Sequence, residues 1–409
     1  MSALKQVFVR VHFRYDQDQY AVDLEQFAAW LLAHRYPNKT ARTHLYRAQQ
    51  VLRAIGAAPG SAIEAEVLRR TFSRLARRHW RYCHTHPIYA GYLRSMGRLI
   101  ELPAAAPDSV DVVIRDFCER LKRRNGFADS TIAGYRCWIT DFRRRTLPPG
   151  RSLADLSSIS LEYYVQSRGP ELVQTTFRTA IKCIQAFLLD CYRQGLLPNR
   201  LDLIDLPRSF RRDLPPRALP WPMVERLLRS VDLKGRTGRR DHAMLHLKAH
   251  YGLRTGELTH LRLNSINWHA GTLTVWQAKT RSTLVLPLHD KTLRILTDYL
   301  KHARPDTSLP WLFLKNTAPE GPMSKYAASL VFLTRARRSG LPISQYCAYS
   351  LRHAFAHRLF QRGVGMKAIG DLMGHHSLVS TSVYLRLQSD ALREVALPVP
   401  AMEALGEGA

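Results

Sequence analysis

Five residues in three parts of the chain have side chains that suit chemistry at a phosphodiester. In chain order they are Arg254 in the stretch Y-G-L-R-T-G-E-L, Lys279, Arg352 in S-L-R-H, His375 in L-M-G-H, and Tyr384. A phosphodiester is a poor electrophile because its oxygens already carry negative charge. A site that cleaves it must neutralise the non-bridging oxygens, supply a nucleophile and protonate the departing oxygen.

Arginine suits the first of these tasks, since its planar guanidinium grips phosphate through two hydrogen bonds and stays protonated. Arg254 lies in a turn bounded by glycines, and Glu257 follows three residues later, where it can hold the arginine. Without a carboxylate cluster for two metal ions, the nucleophile must be a side chain or an organised water. The residue types and their order therefore predict strand transfer at a phosphate.

The same residues also have structural interpretations. Arg254 and Arg352 could be ion-pair partners, a hairpin lysine such as Lys279 is commonly just solvated, and most tyrosines on helices are ordinary amphipathic residues. His353 and His357 have the i, i+4 spacing of a metal-binding helix. Because alanine follows His353, the H-E-x-x-H pattern of zinc enzymes is absent, and packed core histidines are the favoured interpretation.

The composition favours a polyanionic partner. Lys and Arg number 61 against 33 Asp and Glu, which gives a formal net charge of +28 at pH 7. Each DNA phosphate that such a chain neutralises releases counterions, and this release gives affinity without sequence preference. A membrane is the rival partner, but no stretch approaches the roughly 18 apolar residues of a spanning helix. The six cysteines form no C-x-x-C pair, which argues against zinc and disulfides and favours a reducing cytoplasm.

The elements that must position these residues fall into regions separated by proline-rich breaks. Residues 1–103 and 108–199 show the apolar periodicity of helices, so we predict a helical N-terminal extension followed by a second helical domain. A basic, proline-rich linker at 200–216 leads to a mixed region at 217–395, and a tail follows at 396–409. The predicted fold is mainly α, with helical N-terminal domains and an α+β domain that contains the candidate site.

Short β-rich runs interrupt the helices of the mixed region. They lie at 266–268, 272–278 and 283–288, with turns at Gly271 and at 279–282, and they predict a small antiparallel sheet. In the N-terminal region, arginines recur on helical spacing between Arg69 and Arg81. They form either a stripe that faces phosphates or a solvated helix face.

In the short motifs around Arg254, Lys279, Arg352, His375 and Tyr384, the sequence resembles the tyrosine recombinase, or phage integrase, family. In that family an arginine in a G-L-R-x-x-E-L box precedes a hairpin lysine, an H-x-L-R-H box, an L-G-H box and a tyrosine nine residues beyond. This chain has G-L-R-T-G-E-L at 252–258, Lys279, Y-S-L-R-H at 349–353, L-M-G-H at 372–375 and Tyr384. The resemblance covers about residues 108–393, and five boxes in order at family spacing are specific.

The resemblance implies a role for each residue. Arg254 and Arg352 would clamp the scissile phosphate, Lys279 would protonate the leaving 5′-oxygen, His375 would donate to a non-bridging oxygen, and Tyr384 would attack to form a 3′-phosphotyrosine. Glu257 and His353 would support these groups. The covalent bond conserves the energy for rejoining, so neither a metal nor another cofactor is expected.

Tyr349 departs from the family pattern, because it stands where the family usually has the first histidine of H-x-L-R-H. A phenol can donate a hydrogen bond to phosphate, but its pKa near ~10 makes it a poor base at neutral pH. Either the nucleophile is activated more slowly in this chain, or another group helps.

The function implied is that of a site-specific DNA recombinase in the cytoplasm or nucleoid of a prokaryote. A helical core-binding (SAM-like) domain and the catalytic domain would form a C-shaped clamp on double-stranded DNA. Four identical or related protomers would assemble on two recombination sites, with no membrane involved. The N-terminal extension fits a mobile-element integrase or transposase. A type IB topoisomerase and a non-catalytic DNA-binding accessory subunit are the alternatives.

Overall fold

The computed structural model describes residues 2–8, 17–79, 81–101, 109–148, 150–203, 217–317, 320–343, 345–375, 381–382 and 384. Helices account for most of these residues. In chain order the helices are α1 (Ala3–Val7), α2 (Ala21–Ala33), α3 (Asn38–Ile55), α4 (Ala65–Arg78), α5 (Tyr82–Ser95), α6 (Ser109–Asn125), α7 (Asp129–Thr146), α8 (Ser158–Arg168), α9 (Gln174–Arg193), α10 (Trp221–Arg229), α11 (Arg236–Tyr251), α12 (Thr255–Thr259), α13 (Asp290–His302), α14 (Lys325–Arg338), α15 (Ser350–Gln361) and α16 (Met366–Met373). The strands are β1 (Ile63–Glu64), β2 (Leu99–Ile100), β3 (Ile266–Asn267), β4 (Thr272–Gln277) and β5 (Ser282–Pro287).

The described residues fall into two compact units. The first contains those of Met1–Ser61, Thr71–Met96 and Arg212–Ala409, and the second those of Ala62–Arg70 and Gly97–Arg211. The division falls inside α4. The breaks expected at 103–108 and 200–216 lie mostly outside the described residues, as does the tail at 396–409, so the domain boundaries stay a prediction.

In the second unit, helices α6 to α9 pack around an apolar core. Helices were expected in this part of the chain from its apolar periodicity. Phe117 on α6 and Phe187 on α9 meet edge to face with ring centroids 5.4 Å apart, a geometry that aromatic quadrupoles favour. Ile139 and Phe142 of α7 lie in the same core. The unit also contains a parallel pairing of β1 with β2, which aligns Ile63 with Leu99.

The candidate site rests on a separate core in the first unit. Helix α11 is buried on nearly all sides, and its Leu245 and Leu247 pack with Val275 of β4, Tyr299 of α13 and Leu351 of α15. Strands β3, β4 and β5 form an antiparallel sheet in that order, with Gln277 opposite Ser282 at the hairpin end. The predicted mainly helical fold with a small antiparallel sheet is confirmed.

Of the segment 376–393 around Tyr384, only Thr381, Ser382 and Tyr384 belong to the described residues. Within the described ranges, none of the helices combines the length and the apolar character needed to cross a bilayer.

Candidate active site

Arg254 is held by the turn that joins α11 to α12. Gly252 ends α11 in the left-handed region, with φ of 61°, and Arg254 then caps the short helix α12. The Glu257 carboxylate accepts the Arg254 backbone N–H at 2.8 Å and its guanidinium at 2.7 Å. One carboxylate therefore fixes both the backbone and the side chain of this arginine, while the guanidinium keeps some exposure to solvent.

Arg352 links the G-L-R turn at 252–254 with the L-M-G-H segment at 372–375. It lies on α15 with only 1% of its surface exposed. Its Nη1 donates to the Gly252 carbonyl at 2.6 Å, and its Nη2 donates to the Met373 carbonyl at 2.5 Å. These two hydrogen bonds bring the G-L-R turn and the end of α16 to the same guanidinium.

The guanidiniums of Arg254 and Arg352 outnumber the Glu257 carboxylate that lies between them in sequence, so the candidate site carries net positive charge. Burial, and then the charge of Arg254, lowers the pKa of Arg352. Glu257 is the nearby carboxylate, 3.9 Å from Arg352 Nη1. The Arg352 Nε–H is buried without an acceptor among the described residues. Buried charge of this kind is costly unless an anion compensates it, so the arrangement suits an anionic substrate.

His375 follows α16 and faces the same guanidinium. Its Nε2 lies 3.4 Å from Arg352 Nη2, and its Nδ1 lies 2.9 Å from Thr381 Oγ1. Because a guanidinium only donates, Nε2 acts as the acceptor in this contact and the ring proton belongs on Nδ1. Burial, followed by the charges of Arg352 and Arg254, lowers the pKa of His375 to about 4.

Tyr384 lies against His353 inside the protein. The phenol is 1% exposed, and its oxygen is 3.1 Å from His353 Nδ1. Burial raises the pKa of the Tyr384 phenol, and burial followed by the Arg352 charge lowers the pKa of His353 to about 4. Tyr349, 44% exposed, packs edge to face with the His353 ring, with centroids 4.7 Å apart. His353 is thus neutral at pH 7 and touches the candidate nucleophile.

Lys279 lies in the turn between β4 and β5 with an exposed side chain. Burial and the arginine charges lower the pKa of His375 most, and the Lys279 charge adds a smaller effect, so the lysine lies within electrostatic range of this histidine. The turn is anchored by the buried amide of Gln277, whose Oε1 accepts hydrogen bonds from Thr280 Oγ1 at 3.2 Å and Ser282 Oγ at 3.5 Å. The hairpin is therefore fixed at its base while the lysine remains accessible.

Gly374 connects this hairpin with the L-M-G-H box. It ends α16 with φ of 60°, and a Cβ built on it would lie 1.8 Å from Gln277 Oε1. A side chain at this position would have to displace the Gln277 amide, and the positive φ also favours glycine.

Gly374→Ala should slow DNA cleavage by more than tenfold, because the added methyl displaces the amide that anchors the Lys279 turn. The matched control is Gly363→Ala. Gly363 has φ of 78° but open space around its missing Cβ, so it carries the backbone strain of about 1–2 kcal/mol without the collision. Cleavage rates and thermal stability are measured for both variants. Equal reductions of rate in the two would contradict this account of Gly374.

Lys248 was missed by the sequence analysis. This α11 lysine is 1% exposed, and its Nζ donates to the Leu253 carbonyl at 3.2 Å and to Thr255 Oγ1 at 3.0 Å, on either side of Arg254. Burial, and then the Arg352 charge, lowers the pKa of Lys248 to about 8. The sequence signal for Lys248 is a lysine among apolar residues of a helix. Whether its side chain points into the protein depends on tertiary packing.

Comparison with known proteins places the chain in a family. Residues 222–390 match the model of the Phage integrase family. The chain is 31% identical over 313 residues to the "Putative integrase/recombinase y4rF" of Sinorhizobium fredii, which covers 74% of this chain and 72% of that protein. It is 29% identical over 300 residues to the tyrosine recombinase XerD of Xanthomonas axonopodis pv. citri, covering 69% of this chain and 95% of that protein.

Solved structures share the fold. The XerH site-specific recombinase bound to palindromic difH substrate has a TM-score of 0.55 at 16% identity, covering 69% of this chain and 82% of that chain. The Tn1549 transposon integrase in complex with a circular intermediate DNA has a TM-score of 0.53 at 16% identity, covering 66% of this chain and 94% of that chain. The sequence boxes, the fold and these relatives agree, and the chain belongs to the phage integrase family of tyrosine recombinases.

Proposed function

We propose that this tyrosine recombinase is a site-specific DNA recombinase whose Tyr384 forms a 3′-phosphotyrosine with the cleaved strand. The convergence of Arg254, Arg352 and Tyr384 from distant parts of the chain supports this function. Both guanidiniums lie near Glu257, and burial raises the pKa of the Tyr384 phenol while the charges of Arg352 and Arg254 partly counter that rise. Two cations beside a buried phenol suit attack on a phosphodiester.

In the proposed reaction, Tyr384 Oη forms a bond to phosphorus as the bond from phosphorus to the 5′-oxygen breaks. Arg254 and Arg352 hold the non-bridging oxygens, and Lys279 gives its proton to the departing 5′-oxygen. His375 donates a hydrogen bond to a non-bridging oxygen through Nε2 once its ring proton has moved there from Nδ1, with Thr381 Oγ1 then donating to Nδ1. The 5′-hydroxyl of a partner strand then attacks the phosphotyrosine and restores the phenol, so the phosphodiester energy is conserved.

His353 accepts the Tyr384 proton in this proposal. The first histidine of the family box is Tyr349 here, and the neutral ring nitrogen that contacts the phenol belongs to His353, at 3.1 Å. In the DNA-free protein its low pKa makes it a weak base. A phosphate bound between the arginines would offset the Arg352 charge, which is the second cause of that low pKa. The substrate itself would therefore raise the basicity of His353.

His353→Ala should lower the rate of adduct formation by about 10²–10⁴-fold, the usual contribution of a general base. Added imidazole should restore part of the rate, because the cavity left by the ring lies beside Tyr384. In the unchanged protein the rate should fall as the pH is lowered toward the pKa of His353, since only the neutral ring accepts a proton. His357→Ala, one turn further along α15, is the control. If imidazole restores nothing and the pH profile does not change, His353 is only a structural support.

The direct test of the function uses a nicked duplex that traps the cleaved intermediate. We expect an adduct that resists denaturation, and a DNA-linked peptide that contains Tyr384. A type IB topoisomerase would rejoin the original strand only, so a heterologous 5′-hydroxyl strand should yield exchanged product here. A non-catalytic accessory subunit would bind DNA without any adduct, and absence of the adduct with every duplex tested would reject the proposal.

Assembly and location extend the same proposal. Fold relatives include XerH on a palindromic difH substrate and a lambda integrase dimer bound to a COC′ core site. By analogy, we propose that protomers of this chain, alone or with a related recombinase, form a tetramer on two sites at the bacterial nucleoid. The helical second unit would serve as the core-binding domain. Light scattering of the complex with paired sites should give the mass of four protomers.

A further inference from the structure

The N-terminal helices of the first unit enclose a groove that plays no part in the chemistry described above. It lies between α3, the end of α4 and the start of α5, and its volume is about 580 Å³. Its polar walls include Arg42, Tyr46, Arg47, Gln50, His79 and Tyr82. We call it the α3–α5 groove.

The groove carries positive charge that no carboxylate of its lining balances. Arg47 is half-buried, and its Nη1 donates to the Arg81 carbonyl at 3.1 Å and to Thr85 Oγ1 at 3.3 Å. Arg42 donates through Nε to the Val7 carbonyl at 2.7 Å. Neither guanidinium contacts an acidic side chain within the described part of the chain, and the groove lining contains no acidic residue. Burial lowers the pKa of Arg47.

Some other arginines of the N-terminal helices have acidic partners. Arg53, also on α3, forms an ion pair with Asp18, and Arg69 and Arg70 of α4 both pair with Glu66. The arginines on helical spacing in α4 are therefore partly engaged with their own helix. Of the three arginines on α3, Arg42 and Arg47, about one and a half turns apart, have no acidic partner among the described residues.

The remaining side chains of the groove add hydrogen-bond donors. Tyr46 is 54% exposed, and Arg47 lies over the Tyr82 ring at 5.8 Å from its centroid. Phenol, amide and imidazole groups donate to phosphate oxygens, as arginine does, and such contacts position a protein on DNA without reading its sequence. The volume exceeds what a single small anion needs, so an extended polyanion suits it better.

We infer that the α3–α5 groove binds the sugar–phosphate backbone of duplex DNA outside the segment that is cleaved. This inference rests on the proposed function, because that function supplies DNA as the partner. It adds a second DNA-binding surface, from the N-terminal extension, that depends on charge rather than on sequence. An acidic protein segment is the competing occupant.

The test compares the salt dependence of DNA affinity between variants of the full chain. For Arg42→Gln/Arg47→Gln on a long duplex, the slope of log affinity against log salt should decrease by about 0.9 for each phosphate that is no longer neutralised, and so by about 1.8. Arg53→Gln is the matched control, since it removes one positive charge from the same helix. Arg53 already forms an ion pair with Asp18, so the slope measured for this variant should not change. Tyr46→Ala, at an exposed position, should weaken binding without requiring any change in folding.

Adduct formation on a short nicked duplex is measured in parallel, and it should be unchanged in all of these variants. An unchanged slope in Arg42→Gln/Arg47→Gln together with unchanged affinity in Tyr46→Ala would overturn the inference, and so would an equal decrease of the slope in Arg53→Gln. Weaker binding to an acidic peptide with DNA affinity intact would assign the groove to the competing occupant and overturn it as well. Failure of the proposed function would appear separately, as absence of the adduct in the unchanged protein.

Discussion

Tyr384→Phe should abolish the covalent protein–DNA adduct while DNA binding persists. Phenylalanine keeps the ring that fills this buried position and removes only the phenol oxygen, which contacts His353 Nδ1 at 3.1 Å. Removing one such hydrogen bond costs about 0.5–1.5 kcal/mol of folding stability, too little to unfold a chain of this size. The adduct is measured on the nicked duplex after denaturation, and DNA affinity is measured in parallel.

Tyr349→Phe is the matched control for this substitution. Tyr349 packs on the same histidine ring but is 44% exposed, so its hydroxyl can be removed with little effect on packing. The Tyr349→Phe protein should still form the adduct. An adduct that survives in Tyr384→Phe and disappears in Tyr349→Phe would assign the nucleophile to Tyr349 instead.

Arg254→Gln should slow adduct formation by about 10²–10³-fold, the usual effect of removing one preorganised group that stabilises transition-state charge. DNA affinity should change much less, because many other basic residues are available to bind the backbone. Arg254 is a cleaner probe than Arg352, a residue that is 1% exposed and donates to two backbone carbonyls. The chemical step is measured in a single turnover with excess protein.

Arg229→Gln provides the comparison for Arg254. Arg229 is also paired with a glutamate on its own helix, at 3.1 Å from Glu225, but its side chain is 76% exposed. Its replacement should leave the cleavage rate unchanged. If affinity for DNA falls in step with the rate in Arg254→Gln, the arginine makes an ordinary backbone contact and does not act selectively in the transition state.

The order and spacing of chemically distinctive residues made much of the site predictable. Arg254 with Glu257, the hairpin with Lys279, and the pair His375 and Tyr384 all stand out because each is polar within a recognisable local pattern. The antiparallel sheet was predictable for the same reason, since period-2 runs and turn residues are local signals.

Contacts between distant segments were not predictable in this way. The buried direction of Lys248, the contact of His353 with the Tyr384 phenol, and the approach of Gly374 to Gln277 depend on how helices pack, which no local pattern encodes. The pairing of β1 with β2 was also missed, because strands of two residues are too short to show alternation.

The buried guanidinium of Arg352 has a consequence for the protein without DNA. Like charges at Arg254 and Arg352 repel across a poorly solvated space, and Glu257 offsets them only in part. The resting enzyme is thus electrostatically frustrated at its centre, and a phosphate group supplies the missing counter-ion. Binding of the DNA phosphate that is to be cleaved should therefore raise the free energy of unfolding of the protein, since any ligand that binds only the folded state stabilises it.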